Sequence, residues 1–218
     1  MNMFAGVIFY NDGPKILEKC LMSLVKAGIK PIAIDGAFKD FPRLEGEEFY
    51  STDGCLEVAK EHSWKVIESP VHGWQDQVHK RNAYLEACPI GSYLMYIDAD
   101  EILRQENVDL LHHLNEDAYR IIEHRHESNE YVRNMTSVRI YKIYNDLRYK
   151  YQHCRLYRLN NHIESDIDSG LVCKAHGEIN MKTLLHISFD HYKFLRPKIR
   201  VDQKEKFYKE RFESTYGY

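Results

Sequence analysis

Apolar positions along the first hundred residues follow two alternating rhythms. Residues 5–10 form a short apolar run, and residues 31–35, 64–68 and 92–98, each with an apolar centre, have the length of further strands. Between the first two, Ile16, Leu17, Cys20, Leu21, Leu24 and Val25 recur at helical spacing. Asp12 is the expected cap of that helix, Pro14 sits in its first turn, and Gly28 can close it in a left-handed conformation. Residues 36–50 are rich in charge and turn formers and read as a loop. Ser51-Thr52-Asp53-Gly54 then precedes a second helix over residues 55–62, with Thr52 or Asp53 as its cap. A third helix over residues 74–88 ends at Pro89. Strand, helix, strand, helix, strand, helix, strand predicts an α/β domain with a mainly parallel sheet flanked by helices.

The rhythm changes after Leu103. A short helix is expected near residues 108–114, followed by β-rich stretches at residues 119–124, 137–144 and 153–159. Residues 160–170 are polar and turn-like, residues 184–187 form a last short strand, and residues 193–213 form a charged helix. No internal repeat or low-complexity tract interrupts the chain. The whole of residues 1–218 reads as one domain: a regular half over 1–103, a more irregular β-containing half over 104–192, and the C-terminal helix over 193–218.

Composition narrows the picture without fixing it. The 218 residues carry a formal net charge of -3, which argues against broad electrostatic binding of nucleic acid. No run approaches the roughly 18 apolar residues of a membrane span. The opening residues lack a basic start and a small-residue cleavage site, so they read as a strand and not as a signal peptide. The 5 cysteines are scattered without a CxxC pair, which points to reduced core thiols and a cytoplasmic setting, with membrane-peripheral binding as an option. Tyrosine is abundant at 16, and most of those between Tyr119 and Tyr157 suit strand packing, with an acceptor groove as the other use.

The strongest local signal is Ile97-Asp98-Ala99-Asp100-Glu101, at the end of the fourth apolar strand. Side chains alternate along a strand, so Asp98 and Asp100 emerge on one side. Ligands of open α/β sheets collect beyond the carboxyl ends of the strands. Two carboxylates there repel, and a divalent cation relieves that repulsion. Oxygen ligands favour Mg²⁺ or Mn²⁺, ions that commonly bridge carboxylates to the phosphates of a substrate.

These residues do not stand alone. Phe9-Tyr10-Asn11 with Leu17, Cys20-Leu21 and Ser23-Leu24, then Ile32–Gly36, Ser51-Thr52-Asp53-Gly54, Lys80-Arg81-Asn82 and Ile97–Glu101 occur in an order that resembles the family 2 glycosyltransferases of the GT-A fold. Cys55 stands where that family's S-x-D-G-T segment has its threonine. The resemblance covers most of the chain and implies a Rossmann-like GT-A domain, a nucleotide-sugar-binding half over 1–103 and an acceptor half over 104–192. It implies transfer of a sugar, with inversion, from a nucleotide-sugar donor, a UDP-sugar being favoured.

The same resemblance implies roles for single residues. Phe9, Tyr10 and Asp35 face the nucleotide; the other reading of Asp35 is a loop aspartate capping the next turn. Lys80 or Arg81 reaches the nucleotide or its phosphates, or Lys80 is an ordinary helix residue. Asp98 touches both donor and ion, and Asp98, Asp100 and a late histidine hold the ion. His186 is the candidate for that histidine and His191 its competitor. His153 and Glu178 are rival acceptor-side bases, the histidine because it titrates near neutral pH. Trp74 lines the donor pocket or packs beneath its loop. Arg196 or Arg200 closes over the pyrophosphate, or the basic C-terminal helix is a solvated face, a membrane or polymer contact, or a homodimer interface.

No Q-x-x-R-W motif is present, which argues for a non-processive enzyme. The acceptor stays open among a glycan, a protein, a lipid-linked sugar and modified DNA. Two other readings remain at this point. A nucleotidyltransferase of related fold would use the same strand-end aspartates, but its glycine-rich basic loop does not match Asn11-Asp12-Gly13-Pro14. A catalytically inactive carbohydrate- or partner-binding relative is the third.

Overall fold

The computed structural model describes residues 2–126, 131–144, 148–149, 171–172 and 181–216. Strands β1 (Met3–Ile8), β2 (Lys30–Ile34), β3 (Lys65–Ile67) and β4 (Tyr93–Asp98) alternate with helices α1 (Pro14–Lys26), α2 (Cys55–His62) and α3 (Gln77–Ala87). The short β5 (Glu101–Leu103) and a 3-10 helix (Val108–His113) follow, then the long β6 (Ala118–His126) and β7 (Tyr131–Lys142). After β8 (Arg148–Tyr149) and β9 (Leu171–Val172), β10 (Met181–His191) leads through a 3-10 turn (Lys193–Leu195) into α4 (Lys198–Tyr216).

Eight strands form one mixed sheet in the order β3-β2-β1-β4-β7-β6-β10-β5, and β8 pairs with β9 apart from it. The first four are parallel to one another. β7 enters antiparallel between β4 and β6, β10 runs parallel to β6, and β5 closes the edge antiparallel to β10. The protein is therefore an α/β structure with a mixed sheet flanked by helices. No helix among the described residues is long and apolar enough to cross a membrane.

The helices cover the sheet for the reason the apolar spacing gives. Leu17, Cys20, Leu21 and Leu24 of α1 pack with Ala5, Val7, Met95 and Ile97 in one core, and Tyr84 and Leu85 of α3 pack with Phe4, Ile32, Leu94 and Tyr96 in another. α3 lies so close to β1 that a Cβ on Gly6 would stand 2.6 Å from the Tyr84 ring.

Several local expectations are corrected. Asp12 does not cap α1: the N-cap is Gly13, at φ +93°, and Asp12 instead accepts a hydrogen bond from the Tyr10 backbone N–H. Asp53 accepts from both Gly13 N and Cys55 N, so it ties the start of α1 to the start of α2 without occupying the N-cap of α2, which is Gly54. Gly28 does adopt φ +70° after α1. The later strands are longer than the sequence suggested, 12 residues for β7 and 11 for β10. The stretch at 153–159 and the turn at 160–170 lie outside the described residues.

Candidate functional site

β1 leads to β2 on one side and β4 lies on its other side, so the carboxyl ends of β1 and β4 flank the point where strand order reverses. Such a switch point opens a crevice between the loops that leave in opposite directions. A cavity of about 110 Å³ lies there, lined by Ile8, Phe9 and Tyr10 after β1, by Gly36 and Ala37 after β2, and by Asp98 at the end of β4. Gln77, Lys80 and Arg81 reach it from the start of α3.

One wall is aromatic. Tyr10 meets Phe41 edge-on at 5.8 Å, Phe41 meets Phe38 at 5.4 Å, and Phe207 of α4 completes the group 5.1 Å from Phe38. The other wall is charged. Lys80 is 4% exposed and donates to the carbonyls of Phe9 (2.7 Å) and Gly36, fastening the ends of β1 and β2 together. Burial lowers its pKa to about 8, against the pull of Asp35 and Asp12.

The turn carrying the two aspartates is braced from behind. Glu101 accepts a 2.8 Å bond from Asp98 N and a bidentate pair from Arg139 at 2.9 and 3.0 Å. Asp98 sits 3.7 Å from Arg81, and its side chain is 24% exposed, open to the cavity. Asp100 is closed, at 1% exposure: Arg196 reaches its Oδ1 at 2.7 Å and His191 Nε2 lies 3.3 Å from its Oδ2. The other ring nitrogen of His191 lies 2.7 Å from Glu123.

Charge follows this geometry. Burial would raise the carboxyls of Asp98 and Asp100, but neighbouring cations outweigh it and hold both well below the usual carboxylate range. Those cations are chiefly Lys204 and Arg81 for Asp98, and Arg196 with His191 for Asp100. Burial would lower the His191 pKa, yet its bonds to Asp100 and Glu123 prevail and raise it to about 10. In this arrangement His191 is a cation at neutral pH.

The chain matches no family model and no curated protein. Any function therefore rests on the site itself.

The fold gathers many of the residues singled out in the sequence. Phe9, Tyr10, Lys80, Arg81 and Asp98 all line the cavity. Asp35 is fully buried and its carboxylate is taken up by Ser51, whose hydroxyl donates at 2.6 Å and whose N–H lies 3.2 Å from both oxygens. Burial raises its pKa, opposed by those bonds and by Lys80. It braces the cavity floor from outside the lining. Trp74 packs beneath the loop and donates its Nε1–H to the Asp35 carbonyl at 2.6 Å. His186 is exposed midway along β10, whereas His191 at the strand's end stands against Asp100. His153 and Glu178 lie outside the described residues.

Two participants were not legible as such: Asp12 lines the cavity and takes Arg196 at 3.1 Å, and Glu123 orients His191. Arg196, one of two arginines expected over a pyrophosphate, joins Asp12 to Asp100. Arg196, Arg200, Lys204 and Phe207 recur at intervals of four, four and three. That signal was in the sequence, but it is shared by any helix with a solvated basic face.

Asp98 offers a carboxylate open to the cavity, and Asp12 and Asp100 each give one oxygen to a different nitrogen of the Arg196 guanidinium. Carboxylate oxygens are the ligand type a hard divalent cation takes. Among the described residues, the group whose ligand atoms already lie within 4.8 Å of one another is Glu101, Glu123 and His191. In that cluster both carboxylates are already engaged, by Arg139 and Arg125.

Proposed function

We propose that the crevice binds a nucleotide-sugar and that the protein is a metal-dependent, inverting, non-processive glycosyltransferase. One observation carries the reading. A single cavity at the sheet's switch point joins an aromatic wall, a bank of buried cations and an open strand-end carboxylate. The flat faces of Tyr10, Phe38 and Phe41 suit a nucleoside base, since stacking on an aromatic is tolerant of base identity. Arg81, Arg196, Arg200 and Lys204 suit a diphosphate, whose oxygens take charge-assisted hydrogen bonds from such groups.

Asp98 and Asp100 would hold Mn²⁺ or Mg²⁺, with Asp12 and His191 beside them. When bound, the ion supplies Lewis-acid neutralisation of the departing nucleoside diphosphate. The protein's own part is positioning. Glu101 and Arg139 fix the aspartate turn, Lys80 fixes the loops after β1 and β2, and Arg81 offsets charge beside Asp98. His191, held between Asp100 and Glu123, orients the Asp100 carboxylate. The acceptor half over 104–192 is where a glycan, protein, lipid-linked sugar or modified DNA would dock.

Incubation with a panel of UDP-, GDP-, CMP- and TDP-sugars plus Mn²⁺ or Mg²⁺ tests this reading. The expected result is slow release of free nucleotide from one donor, a UDP-sugar first, stopped by EDTA and by Asp98→Ala. No release, together with no metal-dependent thermal stabilisation by any donor, would remove the proposal. Release of pyrophosphate from a nucleoside triphosphate would point to nucleotidyl transfer instead.

A further inference from the structure

The cavity is too small for the ligand it suits. Sites for small molecules and cofactors run to about 300–1,000 Å³, and this one holds about 110 Å³. The missing space is filled from one direction. Arg196, Arg200, Lys204 and Phe207, all from the segment after β10, line the cavity together with the strand ends. Phe207 completes the aromatic wall, Arg200 lies 4.6 Å over the Tyr10 ring and pairs with Glu47, and Arg196 pairs with Asp12 and Asp100.

Arg196 takes up two of the carboxylates that a cation would use. One guanidinium nitrogen lies 3.1 Å from Asp12 Oδ1 and the other 2.7 Å from Asp100 Oδ1, with all three side chains less than a tenth exposed. The other oxygen of Asp100 faces His191, so neither oxygen is open to a metal ion. The seat is also incomplete. Arg196 Nε is buried with no hydrogen-bond partner among the described residues, which disfavours the closed arrangement.

We propose that Arg196 is a built-in counter-ion that competes with the divalent cation for Asp100 and Asp12, making residues 193–207 a strap over the donor site. This rests on the donor-site reading above. Without donor, the strap neutralises the buried carboxylates and closes the crevice. Entry of the ion requires the guanidinium to leave Asp100, and the departure of Arg196 loosens α4 and opens the volume that a nucleotide-sugar needs. A guanidinium and a divalent cation on the same buried carboxylate repel each other strongly, so binding of one disfavours the other.

The test is Mn²⁺ binding to the full-length protein without donor, read by electron paramagnetic resonance of the free ion. Arg196→Gln is expected to bind Mn²⁺ about tenfold more tightly than the wild type. Lys198→Gln removes one positive charge from an exposed position two residues further on, outside the cavity lining, and is expected to change affinity by less than about twofold. Equal or weaker binding by Arg196→Gln, or an equal gain in Lys198→Gln, overturns the strap. Loss of all Asp100-dependent Mn²⁺ binding in both wild type and Arg196→Gln overturns the metal-dependent donor site as well. Should Arg196→Gln fail to fold, amide hydrogen exchange across residues 198–207 of the wild type decides. Mn²⁺ is expected to accelerate it, and unchanged or slower exchange contradicts the proposal.

Discussion

Arg139 meets Glu101 through two parallel hydrogen bonds, 2.9 and 3.0 Å long, directly behind the turn that carries Asp98 and Asp100. The guanidinium also lies over the rings of Tyr96 and Phe189, 4.6 and 4.8 Å from their centres. The pair is buried, so removal of one partner leaves an uncompensated charge in the core. Arg139→Ala is predicted to destabilise the fold by about 3–5 kcal/mol, and Glu101→Leu with Arg139→Met to recover most of that loss. Urea denaturation of the two variants checks it. Equal losses in the single and double variants would contradict the account.

His191 gives the protein a pH dependence of known sign. Its folded pKa of about 10 exceeds the ordinary value of 6.5, so its ion pairs stabilise the fold fully below pH 6.5. That contribution is lost as pH rises toward 10. In metal-free buffer the melting temperature is predicted to fall across this window, and His191→Gln to flatten the fall. A profile unchanged by the substitution would show that His191 is not held by Asp100 and Glu123.

Gly6 is needed for contact and not for backbone freedom. Its Cβ would meet three atoms of the Tyr84 ring at 2.6–2.8 Å, and Tyr84 is fully buried between α3 and the sheet. Gly6→Ala is predicted to cost about 1–3 kcal/mol through overpacking, and Gly6→Ala with Tyr84→Leu to cost less than the sum of the two single changes. A double-mutant cycle measured by thermal unfolding tests the coupling.

Lys80 joins the carbonyls of Phe9 and Gly36 at the rim of the cavity. Lys80→Met is predicted to destabilise the fold by about 1–3 kcal/mol, because both carbonyls lose their buried donor. It should also weaken nucleotide binding by letting the loops after β1 and β2 separate. Calorimetry beside urea denaturation separates the two effects. Intact stability would remove Lys80 from this structural role.

The regular half was readable because its elements are continuous in sequence: an apolar run for β1, β2 and β4 and one helical stripe for α1. Asp98 and Asp100 were readable for the same reason, as a strand end followed by carboxylates. The ion pairs that close the site were not, although Arg196 and Arg200 stood out as candidates to cover it. The Asp12–Arg196 and Asp100–Arg196 pairs join residues 184 and 96 positions apart in sequence, and only the fold brings them together. Asp12 preceded a helix and looked like a cap, but the left-handed Gly13 took the N-cap place and freed that carboxylate for Arg196. The long strands β7 and β10 were foreshortened because polar residues, Arg133 and Asn134 in β7 and Lys182, His186 and Asp190 in β10, break the apolar runs that mark a buried strand.

Calorimetric titration of UDP into the protein, with and without Mn²⁺, tests the central claim most directly. The account predicts binding that strengthens by about tenfold or more with Mn²⁺, and loss of that gain in Asp98→Asn with the fold intact. Binding indifferent to both the metal and Asp98, or no binding of UDP or any other nucleoside diphosphate, would contradict it.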